Sequence, residues 1–169
     1  MTILVVLCLM VSACLAQAAP VPFQAAGYTI SVDVMLPVSP ERAFDMMTSD
    51  IGGWWDHTVS DYPKRLYLEP RPGGGFYEIF DDAGNGVQHA VVTYAERGKR
   101  LRMEGPLGLA GQAIQMVTTW DYQAAGDSTR VLCTVNLSGQ TDAAMAGTVD
   151  GVWQHLLIEQ LKPWAEARK

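Results

Sequence analysis

The chain is short of basic residues. Twelve Lys and Arg stand against eighteen Asp and Glu, a formal net charge of −6 over 169 residues. A nucleic-acid binder needs a cationic surface to displace phosphate counterions, so that class is set aside. The same deficit argues against standing contact with anionic lipid headgroups. Cysteine is scarce. Of Cys8, Cys14 and Cys133, the first two lie in an N-terminal apolar segment, and without that segment no internal disulfide can form. The domain must therefore be held by its core, and Cys133, in an alternating apolar stretch, is expected to be a small buried hydrophobe. Metal-ligand spacing is also missing. His57, His89 and His155 form no H-x-x-x-H or H-E-x-x-H pattern, and no C-x-x-C pair occurs, so no metal is expected. There is no G-x-S-x-G, and Gly73-Gly74-Gly75 lacks the Lys-Ser/Thr of a phosphate loop; neither serine hydrolase, nucleotide nor other cofactor chemistry is signalled.

Charge is absent from the start of the chain: the first charged side chain is Asp33. Ile3 to Leu15 is almost wholly apolar but too short to span a bilayer comfortably, and it fits the core of an export signal. Ala16-Gln17-Ala18 is a small-x-small cleavage site. Val11-Ser12-Ala13-Cys14 offers a second processing mode, a lipobox with Cys14 lipidated. The expected organisation is a signal over residues 1–18 (or one ending before Cys14), a linker over 19–27 containing Pro20 and Pro22, and one folded domain over 28–169. The expected location is periplasmic or secreted, with a lipid-anchored form in the envelope as the alternative.

What is present is core material: 49% hydrophobic and 9% aromatic residues. Tyr28, Ile30, Val32, Val34 and Leu36 alternate with Thr29, Ser31, Asp33 and Met35, a half-buried strand. Ser39 as N-cap, Pro40 at the first helical position and Glu41 in the first turn open a short helix. Gly52-Gly53 breaks it before Trp54-Trp55, where a second short helix is expected. Six further strands follow, separated by turn signals: 65–69, 76–80, 87–96, 99–104, 112–123 and 129–138. From Asp142 to Leu161, Met145, Val149, Val152, Trp153, Leu156, Leu157 and Leu161 recur at three- and four-residue steps, an amphipathic helix that Pro163 should bend or end. The fold class is α+β. A curved seven-stranded antiparallel sheet must cover its apolar face, and the C-terminal helix is long enough to do so.

This chain resembles the START-like, or SRPBCC, superfamily with its helix-grip architecture, nearest to the polyketide-cyclase/dehydrase and heat-shock-ATPase-activator-like branches. The resemblance is carried by Leu36-Pro37-Val38-Ser39-Pro40-Glu41-Arg42-Ala43-Phe44-Asp45, by Gly53-Trp54-Trp55, by Gly73-Gly74-Gly75-Phe76, by Thr129-Arg130-Val131, and by Gly151-Val152-Trp153 with Leu156, Leu157 and Leu161. It covers residues 28 to 165 and implies a cavity between sheet and helix. It does not choose among the superfamily's lipid carriers, hydrophobic-ligand binders, cyclases, hydrolases and co-chaperone domains.

The candidate chemistry is sparse. Glu78 shares a strand face with Phe76 and Phe80, which need burial. It is expected to point inward, where desolvation would raise its pKa. For His89 strand parity leaves two settings open: Val87, His89, Val91 and Thr93 share one face, and Gln88, Ala90, Val92 and Tyr94 the other. Asp56-His57 follows the double Trp at the expected cavity rim. Arg97, Lys99, Arg100 and Arg102 are expected to be a solvated edge. The expected ligand-binding set is Trp54, Trp55, Phe76, Glu78, His89, Met103, Met116, Trp120, Cys133, Trp153 and Leu157, with Val131 and Val135 beside them. Met and Trp at this density suit a large apolar pocket.

Three functions follow as expectations. The first is an exported binder of a hydrophobic small molecule (a lipid, isoprenoid or aromatic compound). The second is a cyclase- or dehydratase-type enzyme on a polyketide-like substrate, with Glu78, His89 or Asp56-His57 moving protons. The third is a co-chaperone-like interaction domain, which export disfavours. Membrane contact is expected only through a lipidated Cys14 or the apolar loop 105–111, which is a candidate lid.

Overall fold

The computed structural model describes residues 21–169; the expected signal over residues 1–18 and the start of the expected linker lie outside the described residues. Strand β1 (Ala26–Leu36) buries Ile30, Val32, Val34 and Leu36 and turns the alternate residues to solvent. Helix α1 (Pro40–Met46) starts as its sequence dictates, with the Ser39 hydroxyl accepting from the Arg42 amide at 3.4 Å and Ala43 and Phe44 buried. The chain then makes an antiparallel meander: β2 (Ser49–Asp50), β3 (Arg65–Leu68), β4 (Gly75–Ile79), β5 (Gly86–Glu96), β6 (Arg100–Glu104), β7 (Ile114–Ala125) and β8 (Ser128–Gly139). β1 closes back on β8 over eleven paired residues. The result is one eight-stranded sheet in the order β1-β8-β7-β6-β5-β4-β3-β2.

Two elements differ from expectation. The eighth strand is β2, whose two residues pair with Leu68 and Tyr67; so short a segment carries no periodicity to see. The expected second short helix is only a turn. Gly52-Gly53 cannot sustain a helix, and the amides of Trp54 and Trp55 both reach the Ile51 carbonyl, at 3.2 and 3.0 Å.

The C-terminal helix packs on the concave face of the sheet and is one rod with three windings. Asp142 caps it by accepting from the Met145 amide at 2.8 Å. Helix α2 (Ala143–Gln154) passes into a π-helical stretch (His155–Leu161) and then into α3 (Lys162–Glu166). Pro163 does not end it. Proline lacks an N–H and its ring collides with the carbonyl four residues back in an α-helix. The wider turn before it, in which the Lys162 amide reaches the Leu157 carbonyl five residues back, lets the rod continue.

β5 is bulged twice, and this decides the site. Phe76 pairs with Ala90 but Tyr77 pairs with Gln88, so His89 is an extra residue; a second irregularity falls between Val92 and Tyr94. A bulge resets strand parity. His89 and Ala90 are consequently both buried, as is Val92. Neither of the two parity settings describes this strand. Gly105, the residue after β6, leaves room for the bulge, since a Cβ there would strike the His89 carbonyl and lie 2.6 Å from the Ala90 Cα.

Candidate functional site

Sheet and helix do not close completely on one another. Between them lies a cavity of about 450 Å³. Its sheet wall is Phe76 from β4, His89 from β5 and Met116 from β7. The helix supplies Met145, Thr148, Val149, Val152, Trp153 and Leu156. Trp55, His57, Thr58 and Val59 form one side of the mouth, and the loop Leu107–Leu109 forms another. Within that loop Leu107 is buried and holds φ at +50°, a left-handed conformation that a non-glycine residue takes only when tertiary contacts enforce it. The loop is thus part of the cavity wall.

Aromatic rings form the cavity end. The Trp55 ring meets Phe76 at 4.8 Å and Trp153 at 5.7 Å, both edge-on. Phe76 in turn lies 4.9 Å from the His89 ring. The Trp55 indole N–H donates to the His57 carbonyl at 2.8 Å, fixing the ring and the loop together.

Glu78 lies behind this wall and is wholly buried. Its two oxygens accept from the amides of Val59 (2.9 Å) and Ser60 (2.7 Å), and one of them also meets His89 Nε2 at 2.9 Å. Inward placement was the expectation; a raised pKa was not the outcome. Burial is the largest single influence and pushes the carboxyl up. The two amides and His89 together outweigh it, and the group lies below its ordinary value. Glu78 is therefore a fixed anion. It does not line the cavity but clamps the loop at Val59-Ser60 and orients His89. With Nε2 donating to Glu78, Nδ1 is the ring nitrogen not committed to that carboxylate.

A second polar group sits at the mouth. Asp56 bridges two imidazoles: His57 Nδ1 lies 2.8 Å from one of its oxygens and His155 Nε2 lies 2.8 Å from the other. His155 Nδ1 meets Glu159 at 2.8 Å. These carboxylates push the His155 imidazole above its ordinary pKa. Desolvation would raise Asp56, but His155 and His57 together hold it below its usual value. His57 is thus tied to a residue on the distant helix rather than merely solvated.

Of the expected ligand-binding residues, Trp55, Phe76, His89, Met116 and Trp153 line the cavity, while Trp54, Met103, Trp120, Cys133 and Leu157 do not. All five of the latter are fully packed core. Trp54 anchors to the Met46 carbonyl at 3.2 Å. Trp120 and Cys133 are cross-strand partners on β7 and β8, and burial pushes the Cys133 thiol far up, making it unreactive. Sequence reasoning did not assign Val149, Val152 and Leu156 to the cavity, because their helical periodicity is the same whether a face meets core or empty space. The basic group at the β5–β6 turn is a paired surface edge: Arg97 binds Asp45 at 2.8 and 2.6 Å, Arg100 binds Asp121 at 2.6 Å and Lys99 binds Glu96.

No family model and no curated protein matches the chain. Solved structures do. A protein from Rhizobium leguminosarum superposes with a TM-score of 0.66 at 16% identity, over 87% of this chain and 99% of that one. Ara h 8.0201 superposes with a TM-score of 0.58 at 11% identity, over 84% and 99%. DynU16, from the dynemicin biosynthetic locus, gives 0.52 at 15% identity, over 83% of this chain and 48% of its own. At such identities the likeness concerns architecture. The chain has the helix-grip fold of START-like proteins: an open antiparallel sheet with one long C-terminal helix across it.

Proposed function

We propose that the protein is an exported carrier or receptor of a hydrophobic small molecule of the lipid, isoprenoid or aromatic class. The observation that carries this reading is the cavity of about 450 Å³, apolar along the helix and aromatic at one end, with a single oriented imidazole in its sheet wall. Ligand sites are typically of this size and composition, with few placed polar groups. Affinity comes mainly from apolar burial at about 25 cal/mol per Å², and His89 sets the ligand's orientation. Export belongs to the same reading and is supported by the uncharged apolar segment before Asp33 and by the two processing signals within it.

A second reading, a cyclase- or dehydratase-type enzyme, is favoured by one feature. His89 is backed by a buried carboxylate, the arrangement that holds a general base in one tautomer. A co-chaperone-like module would need neither an open cavity nor this pair. His89→Gln separates the first two. Titrated with the apolar fluorophore 1-anilinonaphthalene-8-sulfonate, the variant of a carrier keeps its affinity within about fivefold, the loss of roughly one hydrogen bond. In an enzyme, loss of the general base lowers turnover about 10²- to 10⁴-fold on any polyketide-like substrate the wild type converts. Such a loss would replace the carrier reading with the enzymatic one.

A further inference from the structure

Asp56, His57 and His155 come together from positions ninety-nine residues apart in the chain. One ligand-type atom from each lies within 4.8 Å of the others. The two imidazoles do not simply approach the carboxylate. Each aims a nitrogen at a different oxygen of it, at 2.8 Å, and the rings stand 5.3 Å apart, tilted by 53°. We propose that Asp56, His57 and His155 hold one zinc ion at the mouth of the cavity.

Three observations support this beyond the convergence itself. The first is the far side of His155, whose Nδ1 is fixed by Glu159 at 2.8 Å. A metal-bound histidine is characteristically held in this way by a carboxylate on its second nitrogen, which sets the tautomer and turns the first nitrogen to the ion. The second is the local winding. The π-helical stretch begins at His155 and includes Glu159, and such widened turns occur often at functional sites. The third is access. The side chains of Asp56 and His57 are each 45% exposed and that of His155 is 30% exposed, so an ion can enter from solvent, while His57 also borders the cavity.

The donor set selects a divalent transition metal, iron(II) as well as zinc, and zinc is the redox-inert member of that class. Two imidazoles and one carboxylate suit zinc, whereas magnesium and calcium take all-oxygen shells. Zinc holds nitrogen and oxygen ligands at about 2.0–2.2 Å. Donors bound at that distance around a tetrahedral ion lie about 3.4 Å apart, so the pairs now at 2.8 Å would spread and any pair standing farther apart, up to 4.8 Å, would draw in. Three protein ligands leave a coordination position open, as in zinc sites that exchange a water or a ligand oxygen, and of the three residues His57 borders the cavity. The Gln160 amide also lies near, 3.3 Å from His155 Nε2.

The test uses tag-free full chain, stripped with a chelator and titrated with zinc chloride by calorimetry. The expected result is one saturable ion per chain. His57→Ala and His155→Ala should each abolish it, and Glu159→Gln, which alters only the positioning carboxylate, should weaken it about 10- to 100-fold. Cobalt(II) should give visible d–d bands without a thiolate charge-transfer band. Because His57 and Glu159 are exposed and His155 is only half-buried, circular dichroism of the variants should match wild type. Absence of one-to-one binding would overturn the proposal. So would zinc affinity unchanged in both His variants, or a thiolate band placing the metal on Cys8 or Cys14. No cavity ligand enters the titration, so its failure leaves the carrier reading untouched.

Discussion

Val149→Trp is expected to weaken uptake of an apolar probe about tenfold or more while leaving the protein folded. Val149 lies on α2, lines the cavity and stands one helical turn before Trp153. An indole there projects into open space rather than into packed neighbours, so the usual penalty for overfilling a core, about 1–3 kcal/mol, is largely avoided. The ligand loses room and contact. Withholding about 60 Å² of apolar contact at about 25 cal/mol per Å² removes about 1.5 kcal/mol, slightly more than tenfold in affinity. The contrasting substitution is Leu157→Trp. Leu157 is fully buried one residue away from cavity-lining Leu156; the same side chain there must displace core atoms and should destabilise the protein. Probe titration with thermal melting distinguishes the two. Equal binding in Val149→Trp and wild type would mean that the probe does not enter this cavity.

Glu78→Gln is expected to destabilise the protein by about 3 kcal/mol, the scale of removing a buried charged acceptor from its donors. The carboxylate accepts from two backbone amides and an imidazole. An amide side chain offers one oxygen and turns its NH₂ toward a donor that then has no partner. For a domain of this size such a loss lowers Tm by about 6–12 °C. The pH dependence follows from the sign of the shift. Glu78 titrates in the folded protein below its ordinary 4.5. Its contribution is therefore complete above that value and is lost as pH falls through the lower, folded value. The stability gap between wild type and Glu78→Gln should be constant near neutrality and narrow below about pH 4.5. Because Val59 lines the cavity and Ser60 adjoins it, the variant should also expose the 57–60 loop to faster amide exchange. A gap that stayed constant into strong acid would show that the carboxylate is not the ionised clamp described.

Much of the architecture was legible. The alternation from Tyr28 to Leu36 and the Ser39-Pro40-Glu41 start each follow from local chemistry, and both stand in the structure. Glu78 was legible too, since Phe76 on the same face had to be buried. His89 was not, because parity assumes an unbroken strand and the bulge between Phe76 and Tyr77 breaks it. The difference between lining and core was equally hidden. Trp120 and Trp153 are both buried, yet of the two only Trp153 lines the cavity, while Trp120 faces Cys133 of the neighbouring β8. The direction of the Glu78 pKa depended on the amides of Val59 and Ser60, nineteen and eighteen residues away. The Asp56–His155 contact depended on a helix that returns across the sheet only in the folded chain. Local patterns thus fixed elements and facing, while non-local packing decided which polar groups meet.

The central claim, a cavity that holds a hydrophobic small molecule, is tested most directly by native mass spectrometry of the protein purified from its own host. An organic extract of the same sample is compared with it. The expected result is a stoichiometric added mass on the folded chain that disappears on extraction and is recovered as an apolar compound in the extract. A protein that arrives empty and homogeneous, and that also fails to take up apolar compounds offered in solution, would contradict it.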